Sequence, residues 1–191
     1  MKSGLSIVRQ SDVSSETAAW TGYLAGTATI QTAPQHSVRV TVSSRKRCYL
    51  EALKLHLGSG HKIGGQRSSI SDVCTLVLSS SKLVETLSQL GITKERASRK
   101  AHPRLARDPS FWSGYVEARG SLGGEYPAIH VTGPFQLMHQ YLEWVRSICP
   151  TVRTGVTPSG SSSKSPSTAE ARSISCGPFA SLRSSLCPIT C

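Results

Sequence analysis

Two stretches of this chain are near copies of each other: WTGYLAGTATI at residues 20–30 and WSGYVEARGSL at residues 112–122. Each opens Trp-small-Gly-Tyr-aliphatic and passes within a few residues into a strand-like run. One duplication at a spacing of 92 residues means two similar halves in one polypeptide, because a solenoid needs more copies of a shorter unit. The patterns downstream repeat too: an alternating stretch, a helical one, a second alternating stretch and a second helical one.

Those patterns give a coarse map. Residues 1–15 read as an irregular leader, and residues 16–27 as a helix capped by Ser14 or Ser15. A sheet begins at 29–32, with a turn at 34–36. SVRVTVS then alternates, with Val38, Val40 and Val42 on one face and Arg39, Thr41 and Ser43 on the other. Residues 44–60 form an amphipathic helix with Tyr49, Leu50, Leu53 and Leu57 inward and Gly58 at its end. A Gly-, Lys- and Arg-rich loop, 59–69, leads to a strand at 73–78 and a capped helix with Leu83, Leu87 and Leu90 inward.

The first half therefore spans 16–93. Residues 94–109, with six Lys/Arg between Lys94 and Arg107, read as a basic linker to a second half at 110–191. There, PAIHVTG places Ile129 and Val131 inward and His130 and Thr132 outward, and an amphipathic helix starts at Pro134. A polar insertion at 157–167 marks a hairpin tip, followed by a strand at 170–176 and a last helix at 177–188.

Lys and Arg outnumber Asp and Glu 22 to 11, a formal net charge of +11. That excess favours a polyanionic partner through phosphate neutralisation and counterion release. Six cysteines (Cys48, Cys74, Cys149, Cys176, Cys187, Cys191) include no C-x-x-C pair, and the six histidines supply no zinc spacing. They read as free thiols in a reducing intracellular compartment; Cys74 and Cys176 are expected in the core. No apolar run approaches a membrane span. The serine-containing, early-basic N-terminus is weakly compatible with a mitochondrial or other organellar address.

The paired segments resemble the signature helices of the LAGLIDADG family of homing endonucleases and maturases, over about residues 16–188. The resemblance implies an α+β fold: two pseudo-symmetric αββαββα halves forming a saddle with a concave antiparallel sheet surface. It also implies Gly at the third position of each signature helix, here Gly22 and Gly114. In the family each helix ends in an acid that binds the catalytic metal, followed by Gly. Those positions hold Thr27 and Arg119 here, and the following Gly is Ala28 in the first copy and Gly120 in the second.

This departure governs the functional reading. Two-metal phosphodiester cleavage needs anionic oxygens to hold hard cations against the phosphate. Thr is a weak neutral ligand and Arg repels a cation, so no catalytic acid is intact and no metal site is expected. Glu117 points about 200° around the helix from position 119, and Glu125 lies beyond it with no acidic counterpart in the first half.

The expectation is a nucleic-acid-binding protein without cleavage activity and without a cofactor, an RNA-binding maturase-like factor or a structural component of a ribonucleoprotein. RNA is favoured over duplex DNA because the outward residues are rich in Ser and Thr, and RNA is held largely by phosphates, 2′-hydroxyls and shape. Arg39, Thr41, Ser43, His130 and Thr132 are the groove-facing candidates, and Arg45, Lys46, Lys62, Arg67, Arg153 and Lys164 suit phosphate contact. Neither a membrane nor an obligate homodimer is expected. The alternative is a Mg²⁺-dependent double-strand DNA homing endonuclease whose acids lie elsewhere, and a third reading is a decaying reading frame.

Overall fold

The computed structural model describes residues 14–32, 38–44, 46–67, 72–123, 128–151, 156–158 and 172–176. The first half runs α1 (Ser15–Thr27), β1 (Thr29–Thr32), β2 (Val38–Ser44), α2 (Arg47–His56), β3 (Ile63–Arg67), β4 (Asp72–Ser79) and α3 (Ser81–Gln89). A 3₁₀ turn, Arg96–Ser98, and α4 (Pro103–Ala106) follow. The second half runs α5 (Pro109–Arg119), β5 (Gly120–Gly123), β6 (Ala128–Gly133), α6 (Phe135–Ile148), β7 (Val156–Pro158) and β8 (Arg172–Cys176). Two antiparallel four-stranded sheets result, ordered β1-β2-β4-β3 and β5-β6-β8-β7, so the duplication extends to topology.

Helix starts follow local chemistry. Ser14 accepts from the Thr17 amide, Ser80 from Leu83 and Asp108 from Ser110, each satisfying a donor the first turn leaves free. Pro134 is the N-cap of α6, one residue before the first helical position expected for it. Pro109 does occupy a first-turn position, in α5. Gly58 and Gly91 take positive φ of 58° and 85°; at Gly91 a side chain would also run into the Lys100 carbonyl.

The core sits between each sheet and its helices. Val40, Val42, Leu76 and Leu78 are buried with Tyr49, Leu50, Leu53, Leu83 and Leu87; Val131 is buried with Leu137, Met138, Tyr141 and Val145. Apolar side chains at alternate strand positions thus meet apolar stripes at helical spacing. Cys48, Cys74 and Cys149 are free thiols, and Cys74 packs half-buried against this core.

The segment 59–69 is not all loop, since Ile63–Arg67 pairs with β4 from Ile63↔Leu76 to Arg67↔Asp72. Gly64 and Gly65 are poor strand formers, and it is the edge pairing to β4 that holds this segment extended. Residues 1–13 of the expected leader, the turn at 34–36, most of the insertion at 157–167 and the last helix at 177–188 lie outside the described residues.

α1 and α5 pack directly on one another, by reciprocal contacts. A Cβ on Gly22 would enter the Phe111 carbonyl, and a Cβ on Gly114 would enter the Ala19 carbonyl. The two contacts exchange under the 92-residue offset, so the helices approach to backbone contact at the same place in each copy. Trp20 and Trp112, Tyr23 and Tyr115 are all buried beside this crossing.

The basic segment 94–109 is folded against both halves. Gln140 of α6 both accepts from the Ala101 amide and donates to its carbonyl, at 2.9 Å each. Trp112 donates to the Ala106 carbonyl at 2.8 Å. Arg99, inside a run of basic residues, is 1% exposed.

Candidate nucleic-acid interface

α2 and α3 pack on the first sheet and α6 on the second, and among the described residues no helix is laid across the other face of either sheet. Directly opposed residues of an antiparallel sheet share a face. In the first half this gives rows Gln31–Arg39–Ser79, Thr29–Thr41–Val77 and Ser43–Thr75–Gly64. Gln31, Arg39, Ser79, Thr29, Ser43, Val77 and Gly64 are exposed, and Thr41 and Thr75 half-buried. In the second, His130 lies opposite Ser121 and Ser175, and Thr132 opposite Ser173; His130 and Thr132 are half-buried. The five groove-facing candidates therefore lie on open sheet faces in two sets.

Gln31, Thr75 and Ser79 join them, and the alternation of TIQT and of VCTLVLS is the signal that carries these three. Gln presents both a donor and an acceptor and can bond adenine bidentately. The polar rows hold mostly hydroxyls, which bond to bases or phosphates without a charge of their own.

The phosphate-contact candidates divide. Lys62 is exposed immediately before β3, and Arg67 is the last residue of that strand, not in a loop. Lys46 caps α2 and pairs with Glu117 at 3.2 Å while lying 4.9 Å from the Tyr49 ring centre. Arg45, Arg153 and Lys164 lie outside the described residues, as does Glu125.

α1 and α5 end side by side, Gly26 against Ala118 and Arg119, and lead into β1 and β5. Thr27 turns its hydroxyl back to the Tyr23 carbonyl at 2.8 Å. Arg119 donates from Nε to the Gly26 carbonyl at 2.7 Å, and Arg96 donates from Nη2 to the same oxygen at 3.2 Å. Arg99 donates from Nη1 to Ala25 at 2.9 Å, from Nη2 to Ala28 at 2.8 Å and from Nε to Thr93 at 2.9 Å. Three guanidinium groups thus gather on the last turn of α1, whose free carbonyls carry partial negative charge.

No local pattern distinguishes Arg96 or Arg99 from the basic residues around them. Their acceptors at the end of α1 lie 70 to 74 residues upstream, and only the fold brings the groups together. Burial, then Arg96 beside it, pushes the Arg99 guanidinium down to about 10, which leaves it charged at neutral pH. Burial and Arg119 lower Arg96 as well. Tyr115, donating to the Thr132 carbonyl at 3.1 Å, is pushed up to about 12 by burial, against the opposing pull of Arg119.

A divalent metal does not fit these residues. Glu117 is turned away, accepting from Tyr49 at 2.6 Å and from Lys46, on the side of α2. Among the described residues no group of three His, Cys, Asp or Glu side chains could hold a metal ion. What stands at the helix ends is a hydroxyl bonded to its own helix and a cluster of cations, which disfavours a hard cation by both charge and ligand count.

The sequence matches no protein-family model and no curated protein. The structure is similar to those of two homing endonucleases. I-DmoI in complex with DNA and Ca superposes with a TM-score of 0.53 at 13% identity, over 84% of this chain and 83% of that one. The K262A mutant of I-SmaMI superposes with a TM-score of 0.52 at 11% identity, over 89% of this chain and 81% of that one. The chain therefore has the LAGLIDADG homing-endonuclease fold, as the paired helices led one to expect.

Proposed function

We propose that this protein binds nucleic acid across its two open sheet faces and does not cleave it. The observation that carries this reading is the pair of helix ends: Thr27 is bonded to its own helix and Arg119 is bonded across to Gly26. A two-metal reaction has no ligands there. The net charge of +11 and the hydroxyl-lined faces suit a polyanion held chiefly through its backbone.

RNA is the favoured ligand, in a maturase-like or structural ribonucleoprotein role. Arg39 is the only Arg or Lys in the described rows of open-face residues, fewer than base-specific duplex readers present. Most aromatic side chains among the described residues are buried, Trp20, Trp112, Tyr23, Tyr49, Tyr115 and Tyr141 among them, which argues against single-strand stacking and for structured RNA. In this reading Arg39, Thr41, Ser43, His130 and Thr132 line the bound surface, and Lys62 and Arg67 flank it. Duplex DNA is the second reading, favoured by the DNA bound in the I-DmoI structure.

The test is competition between structured-RNA and duplex-DNA pools for the purified protein across a salt series without metal. Preferential recovery of RNA, with affinity falling steeply with salt, is the expected result. Preferential recovery of duplex DNA would replace the ligand, and no binding to either pool would end the reading.

A further inference from the structure

The three arginines at the end of α1 have no counter-ion among the described residues. None of Arg96, Arg99 and Arg119 pairs with a carboxylate there, and the nearest acid along α5, Glu117, is engaged by Lys46 and Tyr49. A helix C-terminus offers about half an elementary charge, well short of three cations.

Their roles differ. Arg99 is buried and has all three of its nitrogens bonded to carbonyls, so it braces the helix end. Arg96 is exposed and Arg119 half-buried, and each directs one nitrogen at the same Gly26 oxygen. The other two nitrogens of each have no hydrogen-bond partner among the described residues. Two guanidinium groups are thus held within reach of one atom, with donors unused and mutual repulsion unrelieved. The basicity of Arg96 is lowered accordingly, by burial first and then by Arg119.

We propose that Arg96 and Arg119 form a phosphate clamp, taking one backbone phosphodiester of the bound nucleic acid between the ends of the two crossing helices. Planar guanidinium forks match the oxygens of a phosphate, and a shared anion converts their repulsion into attraction. The Gly26 carbonyl, already saturated by both donors, does not oppose the anion as a free acceptor would. β1 and β5 leave from this point with Thr29, Gln31 and Ser121 exposed, so a strand lying across both sheets passes it. The clamp rests on the nucleic-acid reading above for its ligand, and it positions the backbone without reading sequence.

Inorganic pyrophosphate is the probe that separates the two claims. At constant ionic strength it is expected to raise the melting temperature of the wild type by about 5 °C at saturation. Arg96→Ala should lose most of that rise, and Arg96→Lys should recover part of it. Arg96→Ala spares the 2.7 Å bond from Arg119 to Gly26, so the fold is retained. The same variant should bind structured RNA about tenfold more weakly and with a salt slope smaller by about one. Arg39→Ala should weaken RNA binding yet leave the pyrophosphate shift intact. A pyrophosphate shift unchanged in Arg96→Ala would overturn the clamp. An Arg96-dependent shift in a protein that binds neither RNA nor DNA would keep the clamp and remove the nucleic-acid reading.

Discussion

The ends of the two crossing helices part company where their middles agree. At the crossing, Gly22 against Phe111 and Gly114 against Ala19 are the same contact made twice. One turn later α1 is met by Arg96, Arg99 and Arg119, whereas α5 sends Glu117 to Tyr49 and Lys46 beside α2. Backbone contact between helices tolerates only glycine, so packing imposes the same residue on both copies. Charge at the ends answers to whatever the site must hold, and here it is one-sided. The connector between the halves supplies two of the three arginines, which is why the asymmetry falls on α1.

The largest effect should come from the symmetric part. Gly22→Ala and Gly114→Ala should each cost about 3 kcal/mol, because the backbones must separate to admit a methyl group. Urea melts check this, and a large loss in only one of them would break the reciprocity. Next comes the asymmetric part. Arg99→Met should cost roughly 2–4 kcal/mol by leaving three carbonyls without their donor. Thr27→Val, which removes a hydroxyl bonded to its own helix, should cost under about 1 kcal/mol in the same assay. Equal losses would mean the arginine brace contributes nothing particular.

Tyr115→Phe sharpens the comparison through pH. At neutral pH the variant should lose about 1 kcal/mol with the bond to Thr132. The phenol's folded-state value is raised to about 12 from an ordinary 10, so its contribution is complete below pH 10 and is lost as pH rises toward 12. The wild type should therefore lose stability relative to the variant across that window in melts taken at successive pH values, and a constant gap would contradict the assignment. The smallest effect is expected for Arg119→Thr, which makes positions 27 and 119 alike. It should cost about 0.5 kcal/mol in urea melts, since Arg96 still donates to Gly26 and is relieved of a like charge. A loss as large as that of Arg99→Met would mean that Arg119 is a brace and not a free donor.

Much of the fold can be read from residues alone. The repeated Trp-x-Gly-Tyr points to the helix pair, the alternation of Val40 and Val42 to the first sheet's inner face, and the spacing of Leu50 and Leu53 to the helix above it. The strand at Ile63–Arg67 escapes because two glycines and flanking basic residues resemble a loop, and pairing with β4 overrides that preference. Arg99 escapes for a related reason. A basic residue in a basic run reads as solvated, and nothing nearby in sequence announces carbonyl partners 71 and 74 residues away. Lys46 reads as a phosphate contact by the same local logic, yet its partner Glu117 is 71 residues distant.

The most direct test of the central claim is incubation of the protein with the nucleic acid it selects, with and without Mg²⁺ or Mn²⁺, followed by denaturing gels. The bound species should be recovered intact under every condition, with binding independent of metal. Metal-dependent cuts at a defined site would show that acids elsewhere serve the reaction, and that the arginines at the helix ends do not mark its loss.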